Sequence, residues 1–210
     1  MNVVVAQKEA LRKSVSSVLR TLAASSIDEQ SKLVSAKVLE LPHFRQSQNI
    51  SCYLSMPSGE LDTSDIVSEI LKCGKTLFVP KIDKKTPGRM DLVRVYSNDD
   101  LNSLPSGLWG IKEPTSDFSG QPRANASDEG LDMVIVPGVA FDNSMSRLGH
   151  GKGYYDQYLS AYTVTGRPPP LLVALSLREQ MMEGHSVPVD ESDWKMDMVV
   201  TPNEIVSGRG

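Results

Sequence analysis

The sequence predicts an α/β fold: a mostly parallel sheet of about six strands between two layers of helices, in one domain spanning residues 1–210. Short apolar runs of strand length recur along the chain, and amphipathic helical patterns separate several of them. A strand, helix, strand succession is typical of a parallel sheet, whose two apolar faces must both be covered. The length of 210 residues favours a single domain, because domains commonly hold about 100–200 residues.

The first helix is predicted from an apolar stripe at helical spacing near the N-terminus. The stripe consists of Leu11, Val15, Val18, Leu19 and Leu22. It is typical of a helix docked on a core. Because the segment is also basic and rich in serine, as organelle transit peptides are, a targeting function remains an alternative.

A second helix is predicted to begin at Ser26 and to end before Pro42. Ser26 would be its N-cap, and Glu29, three residues later, would complete a capping box. The N-terminal helices of residues 3–42 are then expected to pack on an α/β core formed by residues 49–206.

Residues 49–56 are predicted as the first strand, because helical spacing is lost there and Pro57 and Gly59 end the run. A helix over 63–73 and a strand over 76–79 complete the first parallel unit. Further buried strands are predicted at residues 90–96, 133–136, 172–175 and 198–201, and surface loops at 118–130 and 163–170. Ligands are expected at the C-terminal edges of the strands.

Composition excludes several classes of protein. With 22 basic and 26 acidic residues the net charge is −4, which argues against nucleic-acid binding, since that requires a basic face. No apolar run approaches the ~20 residues of a membrane helix. The only two cysteines, Cys52 and Cys73, form no metal-ligand spacing and fit free thiols in a reducing compartment. We therefore expect a cytoplasmic protein, with a mitochondrial location as the alternative.

The most informative stretch is residues 147–156, Arg-Leu-Gly-His-Gly-Lys-Gly-Tyr-Tyr-Asp, here called the glycine loop. Glycines at alternate positions let backbone N–H groups approach an anion, and the N-terminus of a following helix adds its positive dipole end. Arg147 and Lys152 add full positive charges. Gly153 after Lys152 excludes a Walker A loop, and Tyr154 excludes a dinucleotide fingerprint. A flexible turn with solvated charges is the structural alternative.

At this loop the chain resembles the 5-formyltetrahydrofolate cyclo-ligase family, also called methenyltetrahydrofolate synthetases. The similarity covers nearly the whole chain except the loops around 115–130 and 162–170. Besides the glycine loop, its motifs are Lys8 with Arg12, Ser55-Met56, Gly59-Glu60, Thr63, Val79-Pro80-Lys81, Met90, Trp109-Gly110-Ile111, Glu113-Pro114, Val136 to Asp142, and Asp193 with Asp197.

The resemblance implies closure of 5-formyltetrahydrofolate, with or without a polyglutamate tail, to 5,10-methenyltetrahydrofolate, with ATP as co-substrate and Mg²⁺ as cofactor. A formamide carbonyl is too poor an electrophile for an amine to displace its oxygen as hydroxide, so phosphorylation of that oxygen by ATP makes the assignment chemically sensible. The protein would then mainly position groups and stabilise charge. A monomer is expected, and the expected partners are small molecules, with no nucleic acid and no membrane.

The resemblance also assigns residues. Lys152, Arg147 and Tyr155 would be catalytic. ATP would contact Lys8, Arg12, Arg147, Leu148, Gly149, His150, Gly151, Lys152, Gly153, Tyr154 and Tyr155. Folate would contact Met56, Glu60, Trp109 and Tyr155. Asp156 and Asp193 would hold the metal, which prefers hard oxygen ligands. The roles of Lys81, Asp197 and His150 stay open, with a phosphate or glutamate-tail contact considered for Lys81.

Two other functions remain to be distinguished. A phosphosugar isomerase or CoA-transferase relative would have a similar architecture and a use for a basic glycine loop, but would not require ATP. A catalytically idle folate- or nucleotide-binding regulator would bind without turnover. Formation of the methenyl chromophore from 5-formyltetrahydrofolate, Mg²⁺ and ATP separates all three.

Overall fold

The computed structural model describes residues 3–57, 59–83, 85–107 and 110–208. The helices in these ranges are α1 (Val3–Leu19), α2 (Ala24–Glu40), α3 (Pro42–Gln46), α4 (Ser64–Lys72), α5 (Asn98–Ser103), α6 (Ala126–Glu129) and α7 (Tyr154–Thr163). The strands are β1 (Asn49–Cys52), β2 (Thr76–Ile82), β3 (Met90–Val95), β4 (Asp117–Phe118), β5 (Gln121–Pro122), β6 (Met133–Val136), β7 (Ala140–Asp142), β8 (Arg147–Leu148), β9 (Leu171–Leu175), β10 (Met181–Met182), β11 (Met198–Val200) and β12 (Ile205–Ser207).

Within these ranges the main sheet has seven strands in the order β12-β11-β9-β6-β1-β2-β3. The five central strands run parallel, while β3 and β12 join the two edges antiparallel. The predicted α/β class and mostly parallel sheet are confirmed. Six of the seven strands coincide with predicted ones, and the additional strand is β12.

Successive side chains of the central strands face opposite layers, as the two-residue period of a strand requires. In β6, Met133 and Ile135 pack into the core beneath α1, α2 and α4, whereas Val134 and Val136 pack into the core beneath α7. Both faces are therefore apolar and covered, which explains why these strands are continuous apolar runs.

Helix α1 is docked on the protein, as its apolar stripe predicts. Val15 and Leu19 lie in the core, but Val18 is exposed. No helix in the described part of the chain has both the length and the apolar character needed to cross a membrane. Cys52 is buried and Cys73 exposed, and both are free thiols.

The predicted start of α2 is wrong. The helix begins at Ala24, with Ala23 as its N-cap and no side-chain cap hydrogen bond. The carbonyl of Ala23 accepts from the N–H of Ile27 at 3.2 Å, so Ser26 already lies inside the helix. Alanine has the highest helix propensity, which favours extension past the serine.

The first strand is shorter than predicted, because β1 ends at Cys52. Beyond it, the carbonyl of Tyr53 accepts from the Thr63 hydroxyl at 2.7 Å instead of joining a neighbouring strand. The chain leaves the sheet here.

The segment 118–130 is not simply a loop. Ser119 and Gly120 have φ values of 50° and 78°, which suits the tight turn between β4 and β5. Asn125 then caps α6 by accepting from the N–H of Ser127 at 2.9 Å. Arg123 forms a buried two-point ion pair with Asp100 of α5, at 2.6 and 2.7 Å, which ties this segment to the edge of the sheet.

Candidate active site

The glycine loop runs from β8 into the first turn of α7, beside the residues that follow β1 and β6 and those at the end of β2. Gly151 and Gly153 have φ values of 93° and 67°, a region that residues with a Cβ rarely adopt. At Gly149 a Cβ would lie 2.8 Å from Nη1 of Arg147. The glycines therefore permit both the backbone conformation and the close approach of the arginine.

Arg147, the first residue of this loop, is almost completely buried. Its Nη2 donates to Oδ2 of Asp156 at 2.7 Å, and its Nη1 donates to the carbonyl of Pro137 at 3.2 Å. The other carboxylate oxygen of Asp156 accepts from the backbone N–H of Trp194 at 3.1 Å. The guanidinium and the carboxylate thus fix each other in position.

A mostly apolar cavity of about 170 Å³ lies on one side of the glycine loop. Its lining includes Met56, Glu60, Arg147, His150, Lys152 and Tyr155. We call it the apolar cavity. It unites segments that are distant in sequence: residues 53–60, residues of β2 and the start of β3, residues 111–113, Pro137 and the glycine loop.

Glu60 is the buried carboxylate of this cavity. One of its oxygens accepts from the N–H of Met56 at 2.8 Å, and the other lies 3.8 Å from Nε2 of His150. Its oxygens keep lone pairs that a ligand donor could use.

Tyr155 also lines the apolar cavity. Burial, together with the nearby Cys52 and Glu60, raises the pKa of its hydroxyl well above the usual value, outweighing the opposing charge of Arg147. The hydroxyl is therefore protonated at neutral pH. It has no hydrogen-bond partner among the described residues, so it is a buried donor with an unused hydrogen bond.

A second cleft of about 420 Å³ lies on the other side of the loop. We call it the charged cleft, because Lys8 and Arg12 of α1 line it together with Asp156 and Asp193. Arg12 donates through Nε to the carbonyl of Gly149 at 2.7 Å. Leu148, Gly149, Gly151 and Gly153 supply the backbone on the loop side.

Lys8 is nearly buried and contacts two carboxylates, those of Asp190 and Asp193. Burial alone lowers the pKa of its ammonium, but the hydrogen bonds and charges of these two residues outweigh burial and raise it above the usual value. The same contact, with support from Ser192, lowers the pKa of Asp190 to about 2. Lys8 and Asp190 are therefore both charged at neutral pH.

The apolar cavity and the charged cleft meet at the glycine loop. Gly149, Gly153 and Asp156 line both of them. A ligand in one site and a ligand in the other would therefore lie on either side of a single loop.

The described residues contain no group of three or more acidic, histidine or cysteine side chains able to hold a metal ion. Asp156 and Asp193 nevertheless line one cleft. Because Mg²⁺ commonly uses one or two carboxylates together with phosphates and water, this pair fits a magnesium ion that arrives with a nucleotide.

The sequence was compared with known protein families and proteins. A model of the 5-formyltetrahydrofolate cyclo-ligase family matches residues 4–202. The chain belongs to this family. It is 36% identical over 206 residues to a probable 5-formyltetrahydrofolate cyclo-ligase of Schizosaccharomyces pombe, which covers 95% of this chain and 97% of that protein. It is 37% identical over 194 residues to the 5-formyltetrahydrofolate cyclo-ligase of Mus musculus, with 92% of each chain covered.

A solved structure also resembles this cyclo-ligase family member. The 5,10-methenyltetrahydrofolate synthetase of Aquifex aeolicus superposes with a TM-score of 0.76 at 32% identity, covering 97% of this chain and 95% of that one. The predicted family is confirmed, and the protein is an enzyme of the ligase class. The ligase class takes the place of the alternative enzyme function, that of a phosphosugar isomerase or CoA-transferase.

The cyclo-ligase residues predicted from the sequence separate into the two sites. Met56, Glu60 and Tyr155 share the apolar cavity, as expected of a substrate subsite. The apolar cavity, and not the charged cleft, is also lined by Lys152, Arg147, His150 and Tyr154. Of these two sites, Lys8 and Arg12 line only the charged cleft. Trp109 lies outside the described residues, although Ile111 and Glu113, which follow it, line the apolar cavity.

Two residues with open roles have structural partners. Lys81 donates to the carbonyl of Pro114 at 2.6 Å. Asp197 accepts from the N–H of Leu172 at 2.7 Å and joins β9 to the start of β11. Neither lines the two sites.

Sequence reasoning missed Asp190 and Trp194. Asp190 contacts Lys8, and Trp194 holds Asp156. A signal for Asp190 exists in the sequence, because an aspartate followed two residues later by serine is typical of a side-chain-stabilised turn.

Proposed function

We propose that this enzyme converts 5-formyltetrahydrofolate to 5,10-methenyltetrahydrofolate with consumption of ATP and release of ADP and phosphate. The observation that carries the proposal is the shared glycine loop. It separates an apolar cavity suited to aromatic rings from a charged cleft suited to a polyphosphate.

The folate rings would occupy the apolar cavity. Met56 and the ring of Tyr155 supply apolar surface, while the Glu60 carboxylate can accept hydrogen bonds from pterin nitrogens. A largely apolar pocket with a few placed polar groups is typical of such sites.

ATP would place its phosphates in the charged cleft. Lys8 and Arg12 provide cations on the α1 side. The glycine loop and the N-terminus of α7 provide backbone N–H groups and a positive dipole end on the other side.

The reaction would occur where the two sites meet. The formyl oxygen attacks the γ-phosphorus, and the bond from phosphorus to the β,γ-bridging oxygen breaks to release ADP. N10 then adds to the formyl carbon and loses its proton, and the carbon–oxygen bond breaks to release phosphate. Arg147 and Lys152 would stabilise charge on the transferring phosphoryl group, and the Tyr155 hydroxyl would donate to the formyl oxygen.

Asp156 and Asp193 would hold magnesium. The ion would supply charge neutralisation at the phosphate oxygens. In the structure both carboxylates pair with cations, Asp156 with Arg147 and Asp193 with Lys8. Binding of a magnesium nucleotide would therefore exchange partners, with phosphate oxygens receiving the cations.

The test is the methenyl chromophore, followed by absorbance after mixing the protein with 5-formyltetrahydrofolate, ATP and Mg²⁺. We expect turnover that stops without nucleotide or with EDTA. Chromophore formation that continues unchanged without either would contradict the proposal. Tight binding of both ligands without turnover would favour the idle regulator instead.

Two finer predictions stay open. A cytoplasmic location rests on composition, and a relative from Arabidopsis thaliana is named as a mitochondrial enzyme, so localisation of the tagged full chain is the test. Light scattering during gel filtration would test the expected monomer.

A further inference from the structure

Asp190 contacts the charged cleft through Lys8, although the resemblance assigns it no role. Its Oδ2 accepts from the Lys8 ammonium at 2.6 Å. Its Oδ1 accepts from the backbone N–H of Ser192 at 3.0 Å and from the Ser192 hydroxyl. One oxygen is therefore fixed by its own turn, while the other faces the lysine.

The same turn also orients Asp193. The backbone N–H of Asp190 donates to Oδ2 of Asp193 at 2.7 Å, and this oxygen also accepts from Lys8. One ammonium thus bridges two carboxylates whose relative position is set by a short segment of backbone.

This arrangement matters if Asp193 is to bind a metal. An ammonium and a magnesium ion would compete for the carboxylate of Asp193, whose Oδ2 already accepts from Lys8. The Lys8 side chain is only 11% exposed, so it would lose its partner without gaining full hydration if Asp193 turned away. The carboxylate of Asp190 gives Lys8 a partner that does not depend on Asp193.

We propose that Asp190 is a positioning residue that retains Lys8 in the charged cleft when Asp193 is engaged by magnesium. The inference rests on the proposed function, because it assumes that a magnesium nucleotide enters this cleft. Asp190 itself touches neither substrate nor metal. It acts through Lys8.

Asp190→Asn should weaken the response to the metal without weakening the binding of the nucleotide. The lysine would then depend on Asp193 alone and compete more strongly with magnesium. The Mg²⁺ concentration for half-maximal binding of a non-hydrolysable ATP analogue should rise about tenfold, which lies between the effect of one close charge pair in water and that of one near a protein surface. Affinity for the analogue without Mg²⁺ should stay equal or increase, because one negative charge has been removed.

Isothermal titration calorimetry with the β,γ-imido analogue of ATP at graded Mg²⁺ measures both quantities without turnover. Asp190→Glu keeps the carboxylate and should restore most of the wild-type Mg²⁺ dependence. Asp28→Asn is the matched control, since Asp28 pairs at 2.8 Å with the exposed Lys32 on α2. It should leave both quantities unchanged.

A double-mutant cycle separates action through Lys8 from a long-range effect of charge. In a Lys8→Met background, Asp190→Asn should no longer alter the Mg²⁺ dependence. A tenfold shift that persists in that background would overturn the proposal, as would an unchanged Mg²⁺ dependence in a folded Asp190→Asn protein.

If Asp190→Asn does not fold, Ser192→Ala provides a second variant. It removes one of the two hydrogen bonds that orient Asp190 and should raise the Mg²⁺ requirement by a smaller factor. No shift there would contradict the inference. If the wild-type protein binds no analogue at all, the proposed function itself fails and the inference with it.

Discussion

Removal of the Tyr155 hydroxyl should stabilise the protein and slow its reaction. The hydroxyl is buried and lacks a hydrogen-bond partner among the described residues. A buried polar group left without a partner costs about 1–3 kcal/mol. Tyr155→Phe should therefore raise the free energy of unfolding by about 1 kcal/mol.

For a chain of this length, about 1 kcal/mol corresponds to a rise in Tm of about 2–4 °C. The same substitution removes the proposed donor to the formyl oxygen. A hydrogen bond to a group that develops charge contributes about 1.5–3 kcal/mol, so kcat should fall about 10- to 100-fold.

Tyr162 provides a matched control on the same helix. Its ring is also buried, but its hydroxyl accepts from the backbone N–H of Leu131 at 2.9 Å. Tyr162→Phe leaves that N–H unpaired and should destabilise the protein by about 1–3 kcal/mol. Its kcat should stay at the wild-type value, since Tyr162 lines neither site.

Thermal unfolding and single-turnover formation of the methenyl chromophore measure the two effects separately. Equal losses of Tm in Tyr155→Phe and Tyr162→Phe would show that the Tyr155 hydroxyl has a protein partner. A wild-type rate in the stabilised Tyr155→Phe protein would remove this residue from the reaction.

Three further predictions concern other charged groups. Lys152→Met should lower single-turnover rate by about 10²–10³ with Tm unchanged, because Lys152 is exposed; a wild-type rate would support the flexible-turn interpretation. Glu60→Gln should weaken folate binding in calorimetry by about 1–3 kcal/mol and leave ATP affinity nearly constant, whereas equal losses for both ligands would contradict the division into two sites. Burial raises the pKa of Asp100, but the ion pair with Arg123 outweighs burial and the net pKa is lowered. The stability that it contributes is therefore present above the ordinary carboxyl pKa near 4 and lost as pH falls through the lower folded value. Asp100→Asn should cost about 3–5 kcal/mol and weaken the dependence of urea unfolding on acid pH, and an unaltered pH profile would refute this sign.

The strands and the main helices were predictable because their burial determines which nearby residues are apolar. A strand buried on both faces is a continuous apolar run, and a docked helix has an apolar stripe. Residues 133–136 are apolar throughout, and the structure places them at the centre of the sheet. Boundaries that depend on contacts with other segments were not predictable. After β1 ends at Cys52, the carbonyl of Tyr53 accepts a hydrogen bond from the Thr63 hydroxyl. The residues near Tyr53 contain no pattern that predicts this bond.

The glycine loop is the part of the candidate site that the sequence determined by itself. Its alternating glycines and two cations are an anion-binding pattern within ten consecutive residues. Which groups surround it was decided by tertiary structure. Only the docking of α1 on the turn of residues 190–193 brings Lys8 between Asp190 and Asp193. Likewise, the division between an apolar cavity with Lys152 and a charged cleft with Lys8 follows from where separate segments meet. Charge pairing and burial depend on distances across the fold, and residues more than 180 positions apart in the chain share no local signal of that proximity.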